Sequence, residues 1–491
     1  MTTSGSEIES QLTEARLAQR EWDRTPLSQR LSRVRAFRHL LVVEADRLRG
    51  AVAEDVGKAP EETLGGDILP LADACRFLEK EASRLLRPRH VSSWRHRPLW
   101  LWGQQDTVYR RPRGVVGIIG TWNYPLLLNG VQILQALTAG NAVLWKPSEL
   151  APRSAEVLLD LLLGAGFPSR LIQGLPASRE AGAELIEASI DHLVFTGGVH
   201  TGRVIARRLG ERLISSTLEL SGCDAQFVLA DADVELAARA AWFGTTVNRG
   251  QTCIAVRRAF VQRSLYPTFR ACLEKRVAEA PPLPLLLPAQ VEQALRLAAS
   301  AQEQGASLLG GESKGAVEAR NCPPLVLADV RPEMDLCREA SFAPILALIP
   351  FAGVDEALGM EEQCRFALGA SIFTRDLAQA TDLARRLRAG VVTVNDVIVP
   401  SAHPATPFGG RGSSGWGVTQ GAEGLLEMTV PQVVSTRGGR FRPHYELAAG
   451  GEPAKQGELL EALLESGHAP TWRQRCRGWW HLLRAAWRFP K

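Results

Sequence analysis

From Ser6 to about Leu86, apolar residues recur at three- and four-residue intervals. LSQRLSRVRAFRHLLVVEADRL (residues 27–48) is typical, with Arg and Glu between the apolar positions. This spacing predicts a run of amphipathic helices. LWLWGQQDTVYR (99–110) changes the rhythm to β-favouring residues about a central glycine and predicts a hairpin or extended excursion. Next come short apolar runs separated by helical patterns. GVVGIIG, AVLWKPS and HLVFTGG predict buried strands, YPLLLNGVQILQALTAG a helix stopping at Gly140, and HTGRVIARRLG the start of another. After Glu219, QFVLADADVELAARAAWFGTTVNRG predicts a strand and then a helix, and GVVTVND a late strand. Strands alternating with helices imply an α/β fold built on a doubly wound parallel sheet. AAGGEPAKQGE (448–458) is expected to be a linker, and TWRQRCRGWWHLLRAAWRFPK (471–491) is basic and Trp-rich.

Composition adds bounds. The 491 residues are too many for one ordinary core. With 45% hydrophobic and 22% charged residues the chain is expected to be soluble and globular. A net charge of +4 gives no reason to expect nucleic acid. The eight cysteines are scattered, with no CxxC pair, so neither a metal site nor a disulfide framework is expected. The start, MTTSGSEIES, lacks the features of a signal peptide. No apolar run approaches the ~20 residues of a spanning helix, so the cytoplasm is the expected compartment.

Four segments carry candidate chemistry. FTGGVHTG (195–202) sits between a predicted strand and helix, where Gly197, Gly198 and Gly202 allow a phosphate near free main-chain N–H groups. Taken alone, it is equally a plain glycine turn. WKPSE (145–149) ends a strand, and Lys146 and Glu149 there suit ribose or phosphate contacts, although solvated side chains would look the same. LELSG (218–222) sets Glu219 among apolar residues, a setting that raises a carboxyl pKa and suits a general base. NRGQTCIAV (248–256) frames Cys253 with small residues, as an accessible nucleophile requires.

TWNYP (121–125), KPSE (146–149), FTGG (195–198), LELSG, GQTC (250–253), VND (394–396) and PFGGRGSSGWG (407–417) occur in the order found in the aldehyde dehydrogenase superfamily. Over roughly residues 10–436 the chain resembles that superfamily, most of all the class 3 branch that includes the fatty-aldehyde enzymes. The resemblance implies an NAD-binding doubly wound domain over 1–218 with a β excursion at about 94–111, and an α/β catalytic domain over 219–396. A return segment with an oligomerisation strand would follow over 397–436, then a linker and tail over 437–491. It implies Cys253 as nucleophile, Glu219 as base and Asn123 as oxyanion donor. It assigns the cofactor to Thr121, Trp122, Lys146, Ser148, Glu149, Phe195, Thr196, Gly197, Gly198, Gly202, Glu339 and Phe342. NAD is the expected cofactor, with NADP left open, and a homodimer the expected assembly.

The chain departs from the family pattern at four places. REASFAP (338–344) has Ala340 where a second glutamate is usual and Ala343 where a glycine is usual. ELSGC brings in Cys223, CIAVRR brings in Arg257 and Arg258, and APPLPLLLPAQVEQ (280–293) has lost the family's form. The resemblance implies oxidation of a hydrophobic aldehyde to the acid. A CoA-acylating relative and a non-catalytic membrane-associated scaffold are the alternatives. In the tail, Trp472, Cys476, Trp479, Leu483 and Trp487 recur at helical steps with Arg473, Arg475, Arg477, Arg484, Arg488 and Lys491 around them. This predicts a helix lying on an anionic membrane, or one packed on protein.

Overall fold

The computed structural model describes residues 5–91, 98, 101, 103–310, 320–439 and 453–488. The N-terminal pattern folds as expected, into helices Gly5–Arg24, Leu27–Val43, Ala45–Val56 and Leu69–Leu85. Val34, Phe37, Leu41, Leu48, Val52, Leu71 and Leu78, the apolar positions of that pattern, are buried. Ala45–Val56 stops at Gly57, whose φ of 65° is left-handed. A π-helical turn, Leu64–Ile68, leads into Leu69–Leu85.

The chain divides into two compact units, Met1–Leu85 with Pro112–Val430, and Leu86–Arg111 with Pro431–Lys491. The first contains two mostly parallel sheets, so the class is α/β. One sheet runs in the order Gly415–Trp416, Ser215–Leu220, His192–Gly197, Val115–Ile119, Ala142–Lys146, Ile172–Gly174. Only Gly415–Trp416 is antiparallel to its neighbour. Strand order reverses between Val115–Ile119 and His192–Gly197, and a crevice at the carboxyl ends of such a pair is where doubly wound sheets take ligands. The second sheet runs Ser307–Leu308, Leu325–Ala328, Ile345–Phe351, Val256–Gln262, Asp224–Val228, Gly369–Phe373, Val391–Val394. Strands of both sheets are buried on both faces, which is why they read as continuous apolar runs. The helix Leu127–Ala139 stops at Gly140, φ 101°, as its sequence predicts.

The second unit holds most of a three-stranded sheet, Arg89–His90, Gln104–Pro112 and Thr429–Arg437 in that order. Gly103, φ 79°, turns the chain into Gln104–Pro112. Most of the expected first arm of the excursion, about 94–102, lies outside the described residues. The linker expectation for 448–458 needs correction: from Pro453 onward it is helix, Pro453–His468. The proline opens that helix, where its missing N–H costs nothing. The basic tail forms the helix Trp472–Arg488. Among the described residues no helix is long and apolar enough to cross a membrane.

Candidate active site

Strand Val115–Ile119 delivers Thr121, Trp122 and Asn123 to the crevice where the first sheet's order reverses. Asn129 grips this loop, accepting from Thr121 N (3.2 Å) and donating to Thr121 O (3.1 Å) and Pro125 O (2.7 Å). The Thr121 hydroxyl donates to Asn123 Oδ1 (3.0 Å), and Asn123 Nδ2 donates to Gln251 O (3.1 Å), two residues before Cys253. This ties the candidate oxyanion donor to the nucleophile segment and leaves its second amide N–H for a substrate oxygen.

Cys253 follows a tightly wound loop. Asn248, Arg249 and Gly250 all have positive φ (48°, 60° and 77°). At Gly250 a Cβ would lie 2.5 Å from the Ala343 carbonyl carbon, so only glycine fits. The buried Arg257 guanidinium donates to the carbonyls of both Gly250 and Ala343 and fastens the loop to the segment carrying Phe342. Cys253 is half-buried and lines a cavity of about 500 Å³. Leu127, Leu128, Phe243, Ile254, Ile398 and Phe408 wall that cavity. Ile398 stands in a γ-turn (φ 60°, ψ −64°; Val399 N to Val397 O, 2.6 Å). That conformation costs on the order of 1–3 kcal/mol for such a residue. Burial first, then the carboxylates of Glu219 and Asp224, push the Cys253 thiol up to about 12.

Glu219 lies near the end of Ser215–Leu220, buried, and accepts from Thr419 Oγ1 and from Thr196 Oγ1 (3.3 Å). Burial raises its carboxyl to about 7, against the pull of the two hydroxyls. Sequence reasoning assigned Thr196 to the cofactor, whereas here its hydroxyl serves Glu219 and accepts from Gln132 Nε2 (2.9 Å). Thr419 was missed, two residues beyond the quoted glycine-rich motif.

The other predicted cofactor residues surround the same crevice. Lys146 ends Ala142–Lys146 and pairs with Glu149 at 2.6 Å, and the buried Ser148 accepts from Leu150 N (3.2 Å). Phe195 and Gly197 end the strand His192–Gly197, and Gly198 caps the helix Val199–Glu211. The space where a Gly198 Cβ would stand is open, while a Cβ on Gly202 would lie 2.4 Å from Leu220. Gly198 therefore leaves room at a helix N-terminus, and Gly202 lets the helix approach the strand. The Trp122 and Phe342 rings face each other at 6.1 Å. The Glu339 carboxylate is held by Arg296 (2.6 Å) and Gln293 (3.4 Å). An open helix N-terminus at the switch point, an acid–base pair at the neighbouring strand end and the Trp122–Phe342 aromatic pair fit a dinucleotide.

Residues 2–434 match the profile of the aldehyde dehydrogenase family. The chain belongs to that family. It is 36% identical over 431 residues to the 4,4'-diapolycopene aldehyde oxidase of a Methylomonas species, covering 86% of this chain and 80% of that protein. It is 30% identical over 446 residues to a putative NADP(+) succinate-semialdehyde dehydrogenase of Mycolicibacterium smegmatis, covering 88% and 85%. The fold superimposes with a TM-score of 0.83 and 27% identity on a Mycobacterium tuberculosis aldehyde dehydrogenase complexed with NAD+, covering 90% of this chain and 92% of that one. This member of the family is an NAD(P)-dependent oxidoreductase that acts on an aldehyde.

Proposed function

We propose that this aldehyde dehydrogenase oxidises a neutral, hydrophobic aldehyde to its carboxylic acid through covalent intermediates on Cys253. The observation that carries the substrate class is the cavity lined by Cys253. Its one basic lining residue, Lys58, is already engaged by Asp67 Oδ2 (2.7 Å), by Asn123 O (2.8 Å) and by the Tyr124 ring (4.0 Å from its centre). Among the described residues no lining cation remains for a substrate carboxylate, and Glu62 in the same wall would repel one. Among the relatives, 4,4'-diapolycopene aldehyde has no carboxylate and succinate semialdehyde does, so this cavity favours the former type.

Cys253 attacks the carbonyl carbon. With the thiol at about 12 and Glu219 at about 7, free thiolate is scarce at neutral pH. Deprotonation therefore accompanies attack, with Glu219 taking the proton directly or through water. The second Asn123 amide N–H and the Cys253 main-chain N–H hold the oxyanion, a donor of this kind being worth about 3 kcal/mol. NAD(P)+, when bound, would supply the hydride acceptor needed to convert the Cys253 thiohemiacetal into a thioester. Glu219 then withdraws a proton from water as it attacks the thioester, and the acid leaves. Lys146, Ser148 and Glu149 would hold the cofactor's adenosine ribose, Gly197 and Gly198 its diphosphate, and Trp122 and Phe342 its nicotinamide end. The enzyme works in the cytoplasm as a homodimer, its contact made by Thr429–Arg437, a nine-residue edge strand with Val433 and Val434 exposed. The tail helix rests on anionic lipid, where hydrophobic aldehydes partition.

The test is NAD(P)H formation with decanal and with succinate semialdehyde. Decanal should win in kcat/KM by roughly 100-fold or more, because an unpaired carboxylate is costly to bury. A preference for succinate semialdehyde would overturn the substrate class, and no turnover of either would revive the scaffold alternative.

A further inference from the structure

Lys58 and Asp67 are both fully buried, a costly place for two charges, and neither has a part in the chemistry above. Their partners say what they hold. Asp67 Oδ1 accepts from Leu126 N (3.1 Å) and Leu127 N (3.2 Å), where the helix Leu127–Ala139 begins. Its other oxygen takes the Lys58 ammonium. Lys58 donates in turn to the main-chain carbonyl of Asn123, which also accepts from Asn248 Nδ2 (3.0 Å) on the nucleophile loop. Asp67 reaches this place from the π-helical turn Leu64–Ile68, a distortion common near functional sites. Both charges thus converge on the three peptide units bearing and following Asn123.

We infer that Lys58 and Asp67 are positioning residues: a buried ion pair that fixes the main chain at Asn123 so that its side-chain amide and the Cys253 N–H converge on one oxygen. This rests on the reading of Asn123 as the oxyanion donor. The pair does not touch the substrate's reacting atoms. All three directions of the ammonium are occupied, and it acts through the Asn123 carbonyl. The arrangement also accounts for the pairing itself. An uncharged donor would hold the carbonyl, but only a carboxylate can take the ammonium and two helix-start N–H groups together.

The experiment measures the single-turnover NAD(P)H burst with decanal in the full-length enzyme. The central variant is the double change Lys58→Met with Asp67→Asn, which leaves no buried charge unpaired. Its burst should slow roughly 10- to 100-fold, as a misplacement of about 1 Å at a reacting centre does. The affinity for NAD(P)H should stay near wild type. Placed on Asn123→Ala, the same double change should add less than about threefold, because residues acting through one group are not additive. Lys58→Gln with Asp67→Asn, which keeps a donor for the carbonyl, should be faster than Lys58→Met with Asp67→Asn. A burst within twofold of wild type, full multiplication on the Asn123→Ala background, or equal rates for the Gln and Met forms would each overturn the inference. Asn123→Ala alone separates the two layers: if its burst is near wild type, the oxyanion reading fails. If it is slow and the pair variant is fast, only the positioning role fails.

Discussion

At Glu219, the proposed general base, the burial that would suit catalysis costs stability. The folded carboxyl holds its proton up to about 7, against an ordinary 4.5. Between those values the folded state binds more protons than the unfolded one, so Glu219's contribution is whole below 4.5 and is lost as pH rises through 7. Glu219→Gln should therefore unfold at higher denaturant than wild type above pH 7, by up to on the order of 3 kcal/mol, with the gap closing toward pH 4.5. The same variant should lose the rise in kcat centred near pH 7 and stall after one burst of NAD(P)H. A burst followed by wild-type turnover would remove Glu219 from deacylation. Cys253→Ala should abolish the burst and leave NAD(P)H binding intact, checked by nucleotide fluorescence. At this scale the sequence showed Cys253, Glu219 and Asn123 because each sits in a short local motif. Lys58, Asp67 and Thr419 stayed hidden. In EDVGKAPEETLGGD a lysine and an aspartate read as solvated charge, and only the tertiary fold buries them against Asn123.

The helices and strands were legible where their apolar period was clean, and so was the Gly140 stop. What the sequence scattered as separate departures from the family pattern, the elements bring together. Cys223 packs with Cys364 and Phe366, and Ala340 lies against them. Arg258, at the start of Val256–Gln262, donates to Cys223 O at 2.9 Å and lies 3.5 Å from Glu361. Its neighbour Arg257 holds the carbonyls of Gly250 and of Ala343, itself another departure. Five substituted residues, from three separate stretches of the chain, thus meet in one wall between the nucleophile loop and the segment of Phe342. Arg257 is the tie, and burial lowers its guanidinium to about 10. Lysine could satisfy one carbonyl but lacks the planar fork needed for both. Arg257→Lys should slow the burst about tenfold or more through a looser Cys253 loop. The decanal KM should hardly move. Stopped-flow NAD(P)H fluorescence reads both, and an unchanged burst would mean that Gly250 is held by its own backbone conformation.

For the molecule as a whole, the proposed lipid contact of the tail would govern how a hydrophobic substrate meets the enzyme. The helices Pro453–His468 and Trp472–Arg488 pack together at Gly478, where a Cβ would lie 2.4 Å from Ser466 N. That contact uses one side of the last helix and leaves Trp472, Trp479, Trp480 and Leu483 exposed at 71, 44, 52 and 61%. Arg473 and Arg484 lie over the rings of Trp472 and Trp480. The side chains of Trp487, Arg488 and Lys491 lie outside the described residues. The predicted ring of six cations is smaller in effect than its count, because Arg477 is paired with Glu465 at 2.6 Å. On the proposed lipid reading Arg473 and Arg484 would meet lipid phosphates, each worth about 1 kcal/mol near an anionic surface, while Arg475 already gives its Nε to Ala469 O at 2.7 Å. The tryptophan face contributes a part that salt does not screen. Vesicles containing phosphatidylserine should therefore sediment the full-length protein at low salt and retain a fraction at high salt. Protein lacking residues 447–491 should stay in solution at both. That truncation should keep its turnover of short soluble aldehydes and lose rate on decanal or longer aldehydes presented in the vesicles. Equal sedimentation of the two proteins would sink the lipid reading. A change in oligomeric state on truncation, seen by light scattering, would instead assign the tryptophan face to contact between protein chains.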